Sequence, residues 1–87
     1  MPKYMLVRTV GEVSDEEMEA AALKSLEAVD RLPGVRWIRS YYSVEEGKLY
    51  CEYEAPSVDL LYEHARLAEL PVDQCTVVQD LEPAMFR

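Results

Sequence analysis

"VRWIRSYYSVEEGKLYCEYEAP", residues 35–56, holds two runs rich in aromatic and β-branched residues, VRWIRSYYS and KLYCEYEA, on either side of VEEG. Such runs favour strands, and a glycine closing a short polar linker suits a type I turn that ends in a bulge. The stretch therefore predicts a β-hairpin. On its second arm, alternation sets Leu49, Cys51, Tyr53 and Ala55 on one face and Tyr50, Glu52 and Glu54 on the other. The first set is the more apolar, so it faces the core.

Outward from the hairpin the pattern continues. KYMLVRTV, Lys3 to Val10, reads as a preceding strand. SDEE then opens a helix over about residues 14–32, where Ser14 can cap and Glu17, three residues on, completes a capping box. Met18, Ala22, Leu26 and Val29 share one face of it, and Pro33 with Gly34 stops it. Beyond the hairpin, Pro56 ends the strand and Ser57 can cap a second helix over about residues 57–70. Val58, Leu61, Ala65 and Ala68 form its core face, Pro71 ends it, and CTVVQDL reads as a last strand before the tail EPAMFR.

The order β-α-β-β-α-β in one domain, residues 1–87, predicts an α+β ferredoxin-like sandwich. Its four-stranded antiparallel sheet runs in spatial order 4-1-3-2, with both helices on one face. That order puts the first strand between Cys51 and Cys75. Two strand spacings are about 9–10 Å, beyond the ~7 Å Cα separation a disulfide tolerates. Both cysteines are expected as free thiols, with Cys51 acting as a small core hydrophobe.

Charge narrows the partners. Seventeen acidic residues against nine basic ones give a net charge of −8 and a pI near 4.5. Nucleic acid and anionic membranes should both repel the chain. No apolar run approaches the ~20 residues that span a bilayer, and MPKYMLVRTV has no hydrophobic signal region or cleavage site. The expected compartment is the cytoplasm. With three glycines, no Cys-x-x-Cys and no His-Glu-x-x-His, the chain carries no phosphate loop, dinucleotide fingerprint or zincin signature. Ser40 has no triad signature around it. These absences argue against an enzyme of those classes.

His64, the only histidine, falls at the edge of the second helix's core stripe, beside Leu61 and Ala68. Leu60 and Leu67 extend the apolar arc beyond what a lone domain would bury. The residues favour a boundary histidine, in a subunit contact or hydrogen-bonded to backbone, over a metal ligand or proton carrier. Glu12, Asp15, Glu16, Glu17 and Glu19 surround a helix N-terminus, where carboxylates offset the helix dipole. On the sheet's open face Arg8 is expected to approach Glu52 and Glu54. Arg36 or Arg39 joins them according to hairpin register. With Tyr4, Trp37, Tyr41, Tyr42 and Tyr50 among these charges, that face predicts a homodimer contact.

Three pieces carry a likeness: WIRSY at Trp37 to Tyr41, YCEYEAP at Tyr50 to Pro56, and HA at His64 and Ala65 ahead of LP at Leu70 and Pro71. They resemble a family of short bacterial ferredoxin-like chains of unknown function, often labelled nickel-binding proteins. The likeness runs from MPKYMLVRTV to the last strand. It implies a ferredoxin-like dimer and transition-metal binding, and no established catalysis. Some members carry a second histidine one turn further along the second helix. Ala68 stands there in this chain, so the resemblance implies His64 as one imidazole ligand and not a pair.

The leading expectation is a cytoplasmic, homodimeric, non-enzymatic protein that binds a divalent transition metal, nickel, through His64. Imidazole and carboxylate donors suit that ion. The alternative is a small-molecule binder or cofactor-free enzyme resembling dimeric α/β-barrel proteins. There His64 would be the acid/base, with Arg39, Tyr41 or Tyr53 orienting a ligand between sheet and helices. A purely structural interaction module is the third reading.

Overall fold

The computed structural model describes residues 1–87. The elements run β1 (Lys3–Thr9), α1 (Asp15–Asp30), β2 (Arg36–Ser43), β3 (Lys48–Glu54), α2 (Val58–Ala68) and β4 (Gln74–Val78), followed by a 3-10 turn at Pro83–Phe86. The strands lie in the order β2-β3-β1-β4, and every neighbouring pair is antiparallel. This is the ferredoxin-like arrangement expected from the element order. The last strand stops at Val78, three residues short of the predicted Leu81, because no pairing with β1 extends past Lys3.

The local signals act as read. Glu17 N donates to Ser14 Oγ at 3.1 Å and Ser14 N donates to Glu17 Oε1 at 2.9 Å, closing the capping box. Those bonds hold the Glu17 carboxyl below its usual range. Gly47 ends the hairpin turn at φ 67, and its N–H donates to Ser43 O at 2.9 Å. Its carbonyl accepts from both Val10 N and Gly11 N, and a Cβ there would stand 3.1 Å from Gly11 Cα. Only glycine satisfies both the turn and this close approach.

Helix α2 departs from the reading at both ends. Ser57 occupies the N-cap position, but its hydroxyl makes no cap bond. At the other end Glu69 adopts the left-handed conformation, φ 58, that terminates the helix. Leu70 N donates back to Ala65 O at 3.0 Å. The helix is thus closed by a backbone reversal two residues before Pro71.

Between Trp37 and Arg39 the β2–β3 register shifts by one residue, a bulge at Ile38. Arg36 and Arg39, three apart, would face opposite sides in a regular strand. The extra residue puts both on the open face, where Arg36 pairs with Glu54 and Arg39 with Glu52. Tyr41 and Tyr50 face each other across the strands on that side. Trp37, opposite Tyr53, is turned toward the helices.

Two expectations about the open face are corrected here. Arg8 does not approach Glu52 or Glu54: it shares parity with Leu6, lies opposite Leu49, and is fully buried on the helix side. Tyr4, Trp37 and Tyr42 also pack against the core, not the open face. Leu6, Val35, Leu49, Cys51, Tyr53, Ala55 and Leu61 make up that core. Gly34 lets the loop after α1 lie against Pro56, where a Cβ would meet Pro56 Cγ at 2.8 Å.

Candidate functional site

Helix α1 meets the sheet through small residues, Ala21, Ala22 and Ser25, and leaves a cleft of about 40 Å³ over β1, β2 and β3. That space holds about three water molecules. Met18, Trp37, Leu49 and Cys51 give it apolar walls, with Arg8, Ser25, Ser40 and Tyr53 as the polar lining. Trp37 Nε1 donates to Ser40 Oγ at 2.9 Å, fixing the indole at this wall.

Beside the cleft lies a buried polar nest. His64 is 0 % exposed, not at the boundary, and its partner is the backbone, one of the two settings expected from the sequence. Ser25 on α1 is small enough to let the α2 ring reach the α1 backbone. His64 Nε2 lies 3.2 Å from Ser25 O and 3.4 Å from Ser25 Oγ. A carbonyl only accepts, so Nε2 carries the proton and Nδ1 is left as a lone pair. That Nδ1 is buried with no partner. The ring tilts against Tyr53 with 5.0 Å between centroids. Burial, and to a smaller extent the Arg8 cation, pushes the imidazole below its usual value, against the opposing hydrogen bond with the Ser25 backbone. Burial pushes the Tyr53 phenol up, with Arg8 working against it. Both side chains are therefore neutral at neutral pH.

Arg8 donates from Nη1 to Pro71 O at 2.8 Å and from Nη2 to the Tyr53 hydroxyl at 3.3 Å. Its Nε is buried without a partner. The guanidinium carbon stands 5.9 Å from the centre of the Tyr53 ring.

The four residues singled out from the sequence divide between two surfaces. His64 and Tyr53 meet in the nest. Arg39 and Tyr41 are on the opposite face of the sheet, where Arg39 pairs with Glu52 and Tyr41 is 53% exposed. No ligand between sheet and helices can touch all four. Ser25 and Ser40 carry no signal of a site in the sequence, and Arg8 and Trp37, expected on the open face, line the cleft instead. A lone arginine in the apolar run YMLVRTV, in phase with Leu6, was the one available signal for Arg8.

Nickel does not fit this nest. Nδ1 of His64 has a ligand's lone pair, but the groups around it are the neutral Ser25 and Tyr53 and the cation of Arg8. Nowhere do three His, Cys, Asp or Glu residues come together as a metal would need. The cysteines are both free, Cys51 buried in the core and Cys75 with its thiol pushed up by burial. No helix is long and apolar enough to cross a membrane.

Among solved structures the chain is similar to SCO4226 from Streptomyces coelicolor A3(2), with a TM-score of 0.81 at 18% identity over 92% of this chain and 99% of that one. Rv0793 from Mycobacterium tuberculosis, at 21% identity over 97% and 99% of the two chains, superposes with a TM-score of 0.46, too loosely to bear on the fold. No curated protein matches the sequence. The family model described as "Nickel responsive protein SCO4226-like" matches residues 4–78, every strand and both helices, and the chain belongs to that family.

Proposed function

We propose that this chain is a cytoplasmic homodimer that binds a small molecule in the cleft beneath α1 and does not turn it over. The observation that supports this reading is the cleft itself: an apolar slot between α1 and the sheet, floored by a buried polar nest. Ligand sites have this composition, mostly apolar walls with a few placed polar groups. Against turnover stands the state of His64, whose Nε2 is committed to Ser25 and whose ring is not among the residues that line the cleft. Dimer formation is supported by the open sheet face, where Tyr41 and Tyr50 stand among the Arg36–Glu54 and Arg39–Glu52 pairs. A thermal-shift screen of metabolites tests the reading, since a ligand of the native state raises Tm by mass action. The expected hit also shifts the emission of Trp37, and no hit from a broad screen defeats it.

Nickel binding is the second reading, favoured by the family's description. The site would need donors from two copies of the chain, and an opening of the helix pair to expose His64, because one copy assembles no set of three and the ring is fully buried. Calorimetry with nickel on wild type and His64→Ala decides it. Binding that disappears in the variant supports a His64-centred metal site. Absence of binding in wild type removes the reading.

A further inference from the structure

Arg8 is a buried cation without a counter-ion. It is 0 % exposed, and none of the chain's ion pairs includes it. Its two terminal nitrogens each donate one bond to a neutral acceptor, Pro71 O and the Tyr53 hydroxyl, and its Nε–H has no partner. A buried charge that is neither paired nor fully hydrogen-bonded is among the most expensive arrangements a core can hold. The chain does not lack acids, with seventeen against nine basic residues. Lys3, Arg36 and Arg39 each have a carboxylate partner. The neighbours of Arg8 do not supply the missing charge, for burial keeps Tyr53 protonated and His64 neutral.

Resting on the cleft reading above, we propose that the cleft takes a small organic carboxylate, its anionic head against Arg8 and its apolar body between Met18 and Trp37. Arg8 is among the residues that line the cleft though fully buried, so an entering carboxylate reaches it by displacing the apolar contacts over its unpartnered Nε–H. Guanidinium and carboxylate match in shape as well as charge. Ser40 adds a donor: its oxygen accepts from Trp37, leaving its O–H to give. The space of about 40 Å³ suits a carboxylate head and little more, so the body must lie toward the mouth. The apolar walls disfavour an inorganic anion, whose whole surface is polar.

The test titrates the full-length protein with butyrate and benzoate, with their neutral counterparts butanol and benzyl alcohol, and with inorganic phosphate. Emission of Trp37, the chain's one tryptophan, and Tm are read in parallel. At least one carboxylate should saturably change both signals and bind about tenfold or more tighter than its alcohol, the usual advantage of a hydrogen bond to a charged group. Phosphate should give no saturable change. Arg8→Met should lose the preference for the carboxylate while melting no lower than wild type, since an apolar chain of similar length replaces an unpaired charge. If that variant does not fold, Arg8→Lys decides: it should keep the preference and bind more weakly. Equal binding of acid and alcohol, or a methionine variant that binds the acid as wild type does, overturns the carboxylate assignment and leaves the cleft reading standing. If no probe binds, the carboxylate assignment falls, and a metabolite screen without a hit takes the cleft reading with it.

Discussion

His64 makes the stability of this chain depend on pH over a range where few other groups titrate, and His64→Leu should remove that dependence. Burial and the Arg8 cation hold the imidazole below its usual value in the folded chain, whereas an unfolded chain takes up the proton near pH 6.5. Below that pH the unfolded state binds more protons than the native one, so stability falls as the pH falls. A single group can contribute a slope of at most about 1.4 kcal/mol per pH unit. From about pH 6.5 to about pH 5 the loss attributable to His64 is therefore at most ~2 kcal/mol. The carboxyls of Glu17 and Glu63 are held low by hydrogen bonds with Ser14 and Arg66. Their stabilisation is present above the unfolded carboxylate value, about 4.3, and is lost only below it, outside this window. In the leucine variant the bond to Ser25 O is lost, worth about 1 kcal/mol, and the unpartnered Nδ1 is relieved of a desolvation cost of about 1–3 kcal/mol. Leucine, slightly larger than histidine, replaces the ring's volume against Tyr53. Stability at neutral pH should then equal or slightly exceed that of wild type. Urea denaturation at about pH 7.5 and about pH 5, followed by Trp37 emission, measures both quantities. A leucine variant that loses as much stability on acidification as wild type would show that the imidazole titrates freely. A loss of more than about 3 kcal/mol at neutral pH would show that the ring is structurally indispensable, as expected for removal of a buried network member.

Three further expectations follow from the structure. Ser14→Ala breaks the capping box and should cost about 1 kcal/mol in chemical denaturation; a change within error would mean that Glu17 alone holds the helix start. Glu69→Gly should stabilise by roughly 0.5–1 kcal/mol, because φ 58 strains a residue with a Cβ, while the lost Lys24 pair is exposed and worth little; a lower Tm would refute this. Sedimentation equilibrium should return twice the 10.0 kDa chain mass, and Tyr41→Asp, which adds a charge to the open face beside Tyr50, should shift the protein to monomer; a wild-type monomer at high concentration removes the dimer.

Local chemistry made the element order legible. The Ser14–Glu17 capping box, the glycine of the Glu46–Gly47 turn and the prolines that bracket α2 act over a few residues, and a reader needs no partner strand to see them. Alternation along β3 also placed Leu49, Cys51 and Tyr53 on the core face, because one strand's apolar parity is self-evident. The candidate site was decided elsewhere. Arg8 has the parity of Leu6, but an arginine in a strand is ordinarily on the wet face, and only pairing of β1 with Leu49 and Cys51 puts it in the core. The bulge at Ile38 arises from how β2 meets β3, and it alone sends Arg36 and Arg39 to one side and Trp37 to the other. His64 lies at the edge of its own helix's stripe. Its burial comes from α1, which offers Ser25 across the helix contact and leaves the ring just enough room to reach a carbonyl. A helix wheel describes one helix, and the boundary it draws moves when another packs against it.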